Sequence, residues 1–190
     1  MLKKLAIFAS GSGTNAENIS NYFSKSSDIE VVLICTNKED ALIVKRAKKL
    51  NIPLYIFTKS ELNNFVNLHK KLQSIAVDVI ILAGFLLKIP SIMVDSYPNR
   101  IINIHPSLLP KYGGKGMHGN NIHRAVIENK ETESGISIHF VNNNYDEGKI
   151  ILQEKCTVTN NETIESLTKK IQKLEHSFFP VTIKKTLNEL

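Results

Sequence analysis

The sequence predicts an α/β fold, with an open, mostly parallel twisted sheet, helices on both faces and antiparallel strands near the C-terminus. Three observations predict it. Short apolar runs rich in β-branched residues recur along the first hundred residues, and segments with helical periodicity separate them. Two further apolar runs flank a turn-rich segment, which is typical of an antiparallel pair. The regular alternation of strand and helix favours a parallel sheet for the rest.

Each element follows from its local pattern. Buried strands are predicted at 4–9, 29–36, 53–57, 77–83 and 100–105. Apolar residues at three-to-four spacing predict helices over 15–25, over 40–51 (DALIVKRAKKLN) and over 60–74. GISIHFV and KIILQEKCTV predict two strands around NNNYDEG, and 162–190 predicts a long terminal helix interrupted at Pro180.

Length and composition narrow the class of protein. The 190 residues predict one domain. The net charge of +6 is scattered, which gives no support to nucleic-acid binding, and the apolar runs are too short to cross a bilayer. Cys35 and Cys156 lack any CxxC spacing and are predicted to be buried reduced thiols. A cytoplasmic protein is expected.

The first strand runs into a glycine-rich turn that opens a helix. Residues 11–16 read GSGTNA and fit the GxGxxA pattern, whose backbone N–H groups and helix dipole favour a phosphate. A dinucleotide site also needs an acidic residue at the end of the second strand, where Thr36 and Asn37 stand. A mononucleotide phosphate on residues 13–15 is therefore preferred to NAD, and a simple tight turn before a helix is the alternative.

The fifth strand leads into a Pro- and Gly-rich loop, HPSLLPKYGGKGMHGNN, at the edge where open α/β sheets bind ligands. Asn103 and His105 lie two apart on this strand, so both side chains point to one face. Asp146, in the turn-rich segment, would orient the imidazole and pair with its protonated form if the two met. A structural role for His105 and a turn-forming role for Asp146 are the alternatives.

Other chemistries lack a pattern. The six histidines show no HExxH or comparable ligand spacing, so no metal site is expected. No GxSxG motif or Cys/His arrangement predicts a covalent nucleophile.

Motifs spread along the chain resemble the glycinamide ribonucleotide formyltransferase family. They are SGSGTN, CTNKEDA, DVIILAGFLLKI, INIHPSLLPKYGGKG, SGISIHFV, YDEGKIILQ and LEHSFFP. The resemblance implies a Rossmann-like formyltransferase fold and transfer of the formyl group of 10-formyltetrahydrofolate, a co-substrate, to the primary amine of glycinamide ribonucleotide in purine biosynthesis. It implies direct attack through a tetrahedral intermediate, without a metal.

The resemblance also implies roles for individual residues. The ribonucleotide is expected on Gly13, Thr14, Asn15 and Glu175; the folate on Leu86, Leu87, Lys88, Ile89 and Asn103; and the chemistry on Asn103, His105 and Asp146. These roles make residues 1–100 the phosphate- and nucleotide-binding half of the domain and residues 101–190 the catalytic and folate-binding half. Expected partners are these two small molecules, with no nucleic acid and no membrane, for a monomer or a homodimer.

Three alternatives to this function are considered. A 10-formyltetrahydrofolate hydrolase and a methionyl-tRNA formyltransferase share the catalytic domain, but each normally carries a further domain that 190 residues are not expected to hold. A nucleotide-binding module without catalysis would keep the first glycine turn but would not need Asn103, His105 and Asp146.

Overall fold

The computed structural model describes residues 2–189. They form two compact units, of which the first ends at Asn103 and the second begins at Ile104. Within these residues seven strands and seven helices form. The strands are β1 (Lys3–Phe8), β2 (Ile29–Thr36), β3 (Leu54–Ile56), β4 (Val79–Leu82), β5 (Ile101–His105), β6 (Glu133–Phe140) and β7 (Ile150–Thr157). The helices are α1 (Thr14–Phe23), α2 (Leu42–Lys49), α3 (Lys59–Asn64), α4 (Val66–Ser74), α5 (Ser91–Ser96), α6 (Asn120–Glu128) and α7 (Ile164–Glu189).

The strands form one mixed sheet in the order β3-β2-β1-β4-β5-β6-β7. Strand β1 pairs in parallel with β2 and β4, while β2 pairs with β3 and β4 with β5 in the same sense. Strands β6 and β7 are antiparallel, with Ser134 opposite Cys156 and Ile138 opposite Leu152. The predicted fold class, a mostly parallel sheet with antiparallel C-terminal strands, is confirmed.

Burial explains why these runs form strands. Every residue of β4 is buried, as are the last four residues of β1, because helices cover parallel strands on both faces. In the first unit, α1 buries Ala16, Ile19 and Phe23 along one stripe. In the second unit, α7 packs on β6, β7 and α6 with its own apolar stripe.

The single helix predicted over 60–74 is wrong. The chain forms α3 and α4 instead, and Phe65 between them has φ 61° while its side chain is buried. The helix also begins earlier than predicted, because Thr58 and Glu61 form a capping box. A left-handed phenylalanine is rare, and the burial of its ring against the core stabilises this break.

The interruption predicted at Pro180 is also wrong, because α7 continues through it. Proline removes one backbone hydrogen bond and crowds the preceding turn, but Phe179, Pro180 and Ile183 are all buried. Core packing on both sides of the proline therefore keeps the helix intact. Helices α5 and α6 were not predicted: α5 has six residues, and α6 follows directly on the glycine-rich loop.

A buried carboxylate secures the start of α7. Glu162 accepts hydrogen bonds from Lys170 Nζ and Ser166 Oγ, and the same ammonium donates to the Thr157 carbonyl at the end of β7 (3.0 Å). These bonds, the Lys170 bond first, lower the pKa of Glu162 from 4.5 to about 2. The folded state thus gains stability from the ionised carboxylate at neutral pH.

We expect Glu162→Gln to lower the free energy of unfolding by about 1–3 kcal/mol at pH 7, the usual contribution of hydrogen bonds to a charged group. The folded-state pKa lies below the unfolded one, so the contribution is present above pH 4.5 and is lost as the pH falls towards 2. Urea unfolding at pH 7 and pH 3 measures it. Glu165→Gln is the control, since its pair with Lys169 is exposed and should contribute below about 0.5 kcal/mol. Equal effects of the two variants at pH 7 would contradict this account.

Cys35 is fully buried, but Cys156 is only partly so, and the prediction that both are buried is wrong for Cys156. Cys156 lies on β7, the last strand in the sheet order, whose residues are largely exposed or half-buried. Burial raises the pKa of both thiols, and neither forms a disulfide. Within residues 2–189, no helix combines the length and the apolar character needed to cross a bilayer.

Candidate active site

The glycine-rich turn lies between β1 and α1. Gly13 is the N-cap of α1 with φ 74°, and a Cβ built there would lie 2.9 Å from the Cβ of Ile43, so only glycine fits. No side chain caps the helix, and its first backbone bond runs from Glu17 N to Gly13 O (2.9 Å). The N–H groups of Thr14 and Asn15 therefore lie outside the helical ladder, which is the arrangement that suits an anion.

Ser10, just before this turn, joins three strand ends. Its hydroxyl donates to Oδ1 of Asn37 after β2 (2.6 Å) and accepts from the Leu86 N–H after β4 (3.0 Å). Its own N–H donates to the Gly84 carbonyl (3.1 Å). The segment predicted to border the folate is thus tied to the start of the glycine turn. In this segment Ile89 is buried, Leu87 is half-buried, and Leu86 and Lys88 are exposed.

Strand β5 carries the next two predicted residues. Asn103 is half-buried and His105 is buried, and their spacing of two places both side chains on one face of the strand. His105 Nε2 lies 2.8 Å from the Tyr112 carbonyl oxygen. Since a carbonyl only accepts, Nε2 carries a proton and donates it to this bond.

The other nitrogen of His105 faces Asp146. The separation of Nδ1 from Asp146 Oδ1 is 3.6 Å, with both side chains largely buried. This is longer than a hydrogen bond, but it is within the distance at which a carboxylate forms an ion pair with a protonated ring. The structure therefore brings together two of the three predicted catalytic residues, although they are far apart in the sequence.

Two backbone features place Asp146. Its φ is 54°, and its Oδ2 accepts the Gly114 N–H at 2.9 Å, so the carboxylate also holds the glycine-rich loop. Gly148 is buried, and a Cβ there would overlap the Phe140 carbonyl oxygen. Only glycine lets the turn-rich segment close onto β6, and this closure fixes the position of Asp146.

His139 on β6 is a site residue that the sequence reasoning missed. Its Nε2 lies 3.7 Å from the same Asp146 Oδ1, and its Nδ1 donates to the Phe140 carbonyl (2.8 Å). Burial lowers the pKa of His139, although the Phe140 carbonyl and Asp146 act in the opposite direction. A neutral His139 leaves the negative charge of Asp146 for His105. The signal was present: small and polar residues alternate with isoleucines along GISIH, which indicates a buried polar face.

Ser137, on the same face of β6, holds the loop that follows His105. Its hydroxyl donates to the Ser107 carbonyl (2.6 Å) and accepts the Leu109 N–H (2.9 Å), while Gln153 Nε2 donates to the Leu109 carbonyl (2.9 Å). The loop backbone is thereby paired with side chains of β6 and β7, as buried polar groups require. This network also escaped the sequence reasoning.

Tyr112, whose carbonyl accepts from His105, is itself held by a hydrogen bond from its hydroxyl to Glu131. Glu131 accepts from Lys111 Nζ (2.9 Å) and from the Tyr112 hydroxyl (2.9 Å), and these bonds lower the pKa of its carboxyl. The position of the acceptor for His105 Nε2 thus depends on an ion pair at the start of the glycine-rich loop.

Glu175, the remaining predicted site residue, lies on α7 and is half-buried. Its contact with a ribose stays a prediction. Among residues 2–189, no group of three or more His, Cys, Asp or Glu side chains is arranged to hold a metal ion.

The family model described as formyl transferase matches residues 3–183. The chain belongs to the formyl transferase family. Residues 3–183 include both units' main elements, with β1 at one end and most of α7 at the other.

The chain is similar to several named proteins. It is 40% identical over 183 residues to the chloroplastic phosphoribosylglycinamide formyltransferase of Arabidopsis thaliana, covering 93% of this chain but 63% of that protein, so it spans less than two thirds of that relative. It is 35% identical to phosphoribosylglycinamide formyltransferase of Haemophilus influenzae, covering 96% of this chain and 86% of that one. The crystal structure of phosphoribosylglycinamide formyltransferase from Bacillus halodurans superposes with a TM-score of 0.88 at 35% identity, over 97% of this chain and 95% of that one.

Proposed function

We propose that this formyl transferase moves the formyl group of 10-formyltetrahydrofolate to the primary amine of glycinamide ribonucleotide. The observation that carries the proposal is the 3.6 Å approach of Asp146 Oδ1 to His105 Nδ1, at the end of the strand that also presents Asn103. An amide donor and a carboxylate-paired imidazole suit acyl transfer to an amine without a covalent enzyme intermediate. The names of the relatives support this choice of substrates.

The chemistry needs an oxyanion stabiliser and a proton donor. The substrate amine attacks the formyl carbon, a new C–N bond forms, and the carbonyl oxygen becomes an oxyanion. Asn103 and the protonated His105 donate hydrogen bonds to it. The bond to the folate nitrogen then breaks, and His105 passes its proton to that departing nitrogen, while the proton that the attacking amine gives up restores the imidazolium. Asp146 stays beside the imidazole throughout and pairs with its charged form.

In the structure both nitrogens of His105 face protein atoms, Tyr112 O at 2.8 Å and Asp146 Oδ1 at 3.6 Å. Donation to a substrate oxygen therefore requires one nitrogen to change partners. We infer that Nε2–H exchanges the Tyr112 carbonyl for the substrate oxygen, because Nδ1 must keep Asp146 if the imidazolium is to persist.

Binding roles follow the same proposal. Gly13, Thr14 and Asn15 hold the phosphate, and Glu175 reaches the sugar. Leu86, Leu87, Lys88 and Ile89, with Asn103, border the folate. Residues 1–100 are thus the phosphate- and nucleotide-binding half, and residues 101–190 are the catalytic and folate-binding half. The reaction needs no metal, nucleic acid or membrane. The enzyme acts as a monomer or homodimer in the cytoplasm, a location that the unpaired thiols favour.

Asn15→Leu tests the phosphate assignment. We expect roughly tenfold or greater loss of glycinamide ribonucleotide binding, since an apolar side chain replaces a polar one beside a bound anion, and less than about twofold change in folate binding. Titration calorimetry with each ligand measures both. Asn21→Leu is the control, because Asn21 is exposed on the same helix beyond its first turn. Equal losses for both ligands would mean that the phosphate binds elsewhere.

A further inference from the structure

Helix α2 fixes the peptide planes of the glycine turn through two consecutive carbonyls. Gly11 O accepts the Ile43 N–H (3.2 Å), and Ser12 O accepts Nε of Arg46 (2.8 Å). In a trans peptide the carbonyl and the following N–H point in opposite directions. The N–H groups of Ser12 and Gly13 are therefore turned away from α2.

The same guanidinium pairs with a carboxylate that would repel a bound anion. Glu17 lies in the first turn of α1, and its carboxylate pairs with Arg46 Nη1. Both members of the pair are half-buried, whereas Lys49, 3.4 Å from the other Glu17 oxygen, is mostly exposed. An uncompensated carboxylate one turn from a bound phosphate would repel it, and Arg46 removes this repulsion.

We propose that Arg46 is the positioning residue of the phosphate turn, acting through the Ser12 carbonyl and through the charge of Glu17. This inference rests on the proposed binding of the ribonucleotide phosphate to residues 13–15. Arginine suits this role because its planar guanidinium donates from Nε to the Ser12 carbonyl and from Nη1 to Glu17 at the same time. The ammonium of a lysine has one nitrogen and lacks this fixed fork of donors. Arg46 itself has no part in the chemistry, so its loss should affect phosphate binding and not the formyl transfer step.

The test compares Arg46→Gln with Lys49→Gln in steady-state assays with glycinamide ribonucleotide and with its dephosphorylated nucleoside. We expect Arg46→Gln to raise KM for the ribonucleotide about 10- to 100-fold with kcat within about threefold, because binding common to ground and transition state is lost. Its effect on kcat/KM for the nucleoside should stay within about threefold. Lys49→Gln, which removes a charge beside Glu17 but no contact with the turn, should change KM less than about threefold.

Further variants separate the two actions of Arg46. Adding Glu17→Gln to Arg46→Gln should recover part of the lost affinity, since the repelling charge is gone, but not all of it, since the Ser12 carbonyl remains unheld. If Arg46→Gln does not fold, Arg46→Lys retains the charge and should give an intermediate rise in KM.

Equal effects of Arg46→Gln on ribonucleotide and nucleoside, or a fall in kcat at unchanged KM, would overturn the inference. If Asn15→Leu weakens ribonucleotide binding and Arg46→Gln does not, the inference fails alone; if neither does, the phosphate assignment fails.

Discussion

Replacing Asn103 and His105 together by alanine should reduce kcat for formyl transfer by roughly 10⁴-fold or more. Each residue supplies one hydrogen bond to the oxyanion, and the loss of one such donor costs about 10²- to 10³-fold. His105 also supplies the proton for the departing folate nitrogen, so its single variant should be the more damaged. Single-turnover rates with saturating substrates measure the chemical step directly.

Controls separate chemistry from folding in this experiment. His105 is buried, so His105→Gln accompanies the alanine variant to keep the volume filled. His69→Gln changes a histidine of the first unit that packs edge-on against Phe65, and should alter kcat by less than about twofold. If the double variant retains more than a tenth of the wild-type rate while correctly folded, these residues do not stabilise the transition state.

Asp146→Asn should lower kcat by roughly 10²- to 10⁴-fold, the range for a lost or mistuned acid. Asparagine tolerates the left-handed backbone at this position (φ 54°) and still offers an oxygen to the Gly114 N–H. The variant therefore removes the charge and retains the turn. Without the carboxylate the charged ring of His105 loses its ion-pair partner, and single-turnover rates with saturating substrates measure the effect on the chemical step.

The rate of formyl transfer distinguishes a charge role from a turn role. His139 faces the same carboxylate, but burial lowers its pKa below 6.5, so this ring is neutral near pH 7.5. His139→Gln, assayed beside Asp146→Asn, measures how much of the rate depends on the second ring. If Asp146→Asn alters thermal stability and leaves kcat unchanged, Asp146 only shapes the turn-rich segment.

The strands were predictable because burial on both faces leaves a direct trace in the sequence. The run at 29–36 coincides with β2, and the other four runs overlap β1, β3, β4 and β5. The helix break at Phe65 was not predictable, since a bulky residue with positive φ depends on how its ring packs. The continuity of α7 through Pro180 likewise depends on tertiary burial, which local rules on proline do not include.

The site, too, has features that the sequence predicts and features that it does not. Strand alternation alone places Asn103 beside His105, and a glycine turn before a helix indicates an anion site. Spacing cannot show that Asp146 meets His105, because that contact depends on Gly148 closing the turn-rich segment onto Phe140. Arg46 looks like one more basic residue on a helix, and only its bond to the Ser12 carbonyl distinguishes it.

The most direct test of the account is the acceptor dependence of folate deformylation. Pure protein is mixed with 10-formyltetrahydrofolate, and tetrahydrofolate release is followed with glycinamide ribonucleotide, with initiator methionyl-tRNA, or with no acceptor but water. We expect rapid release only with glycinamide ribonucleotide, together with the formylated ribonucleotide detected by mass spectrometry in equal amount. Equally fast release without an acceptor, as formate, would identify a hydrolase and contradict the proposed function.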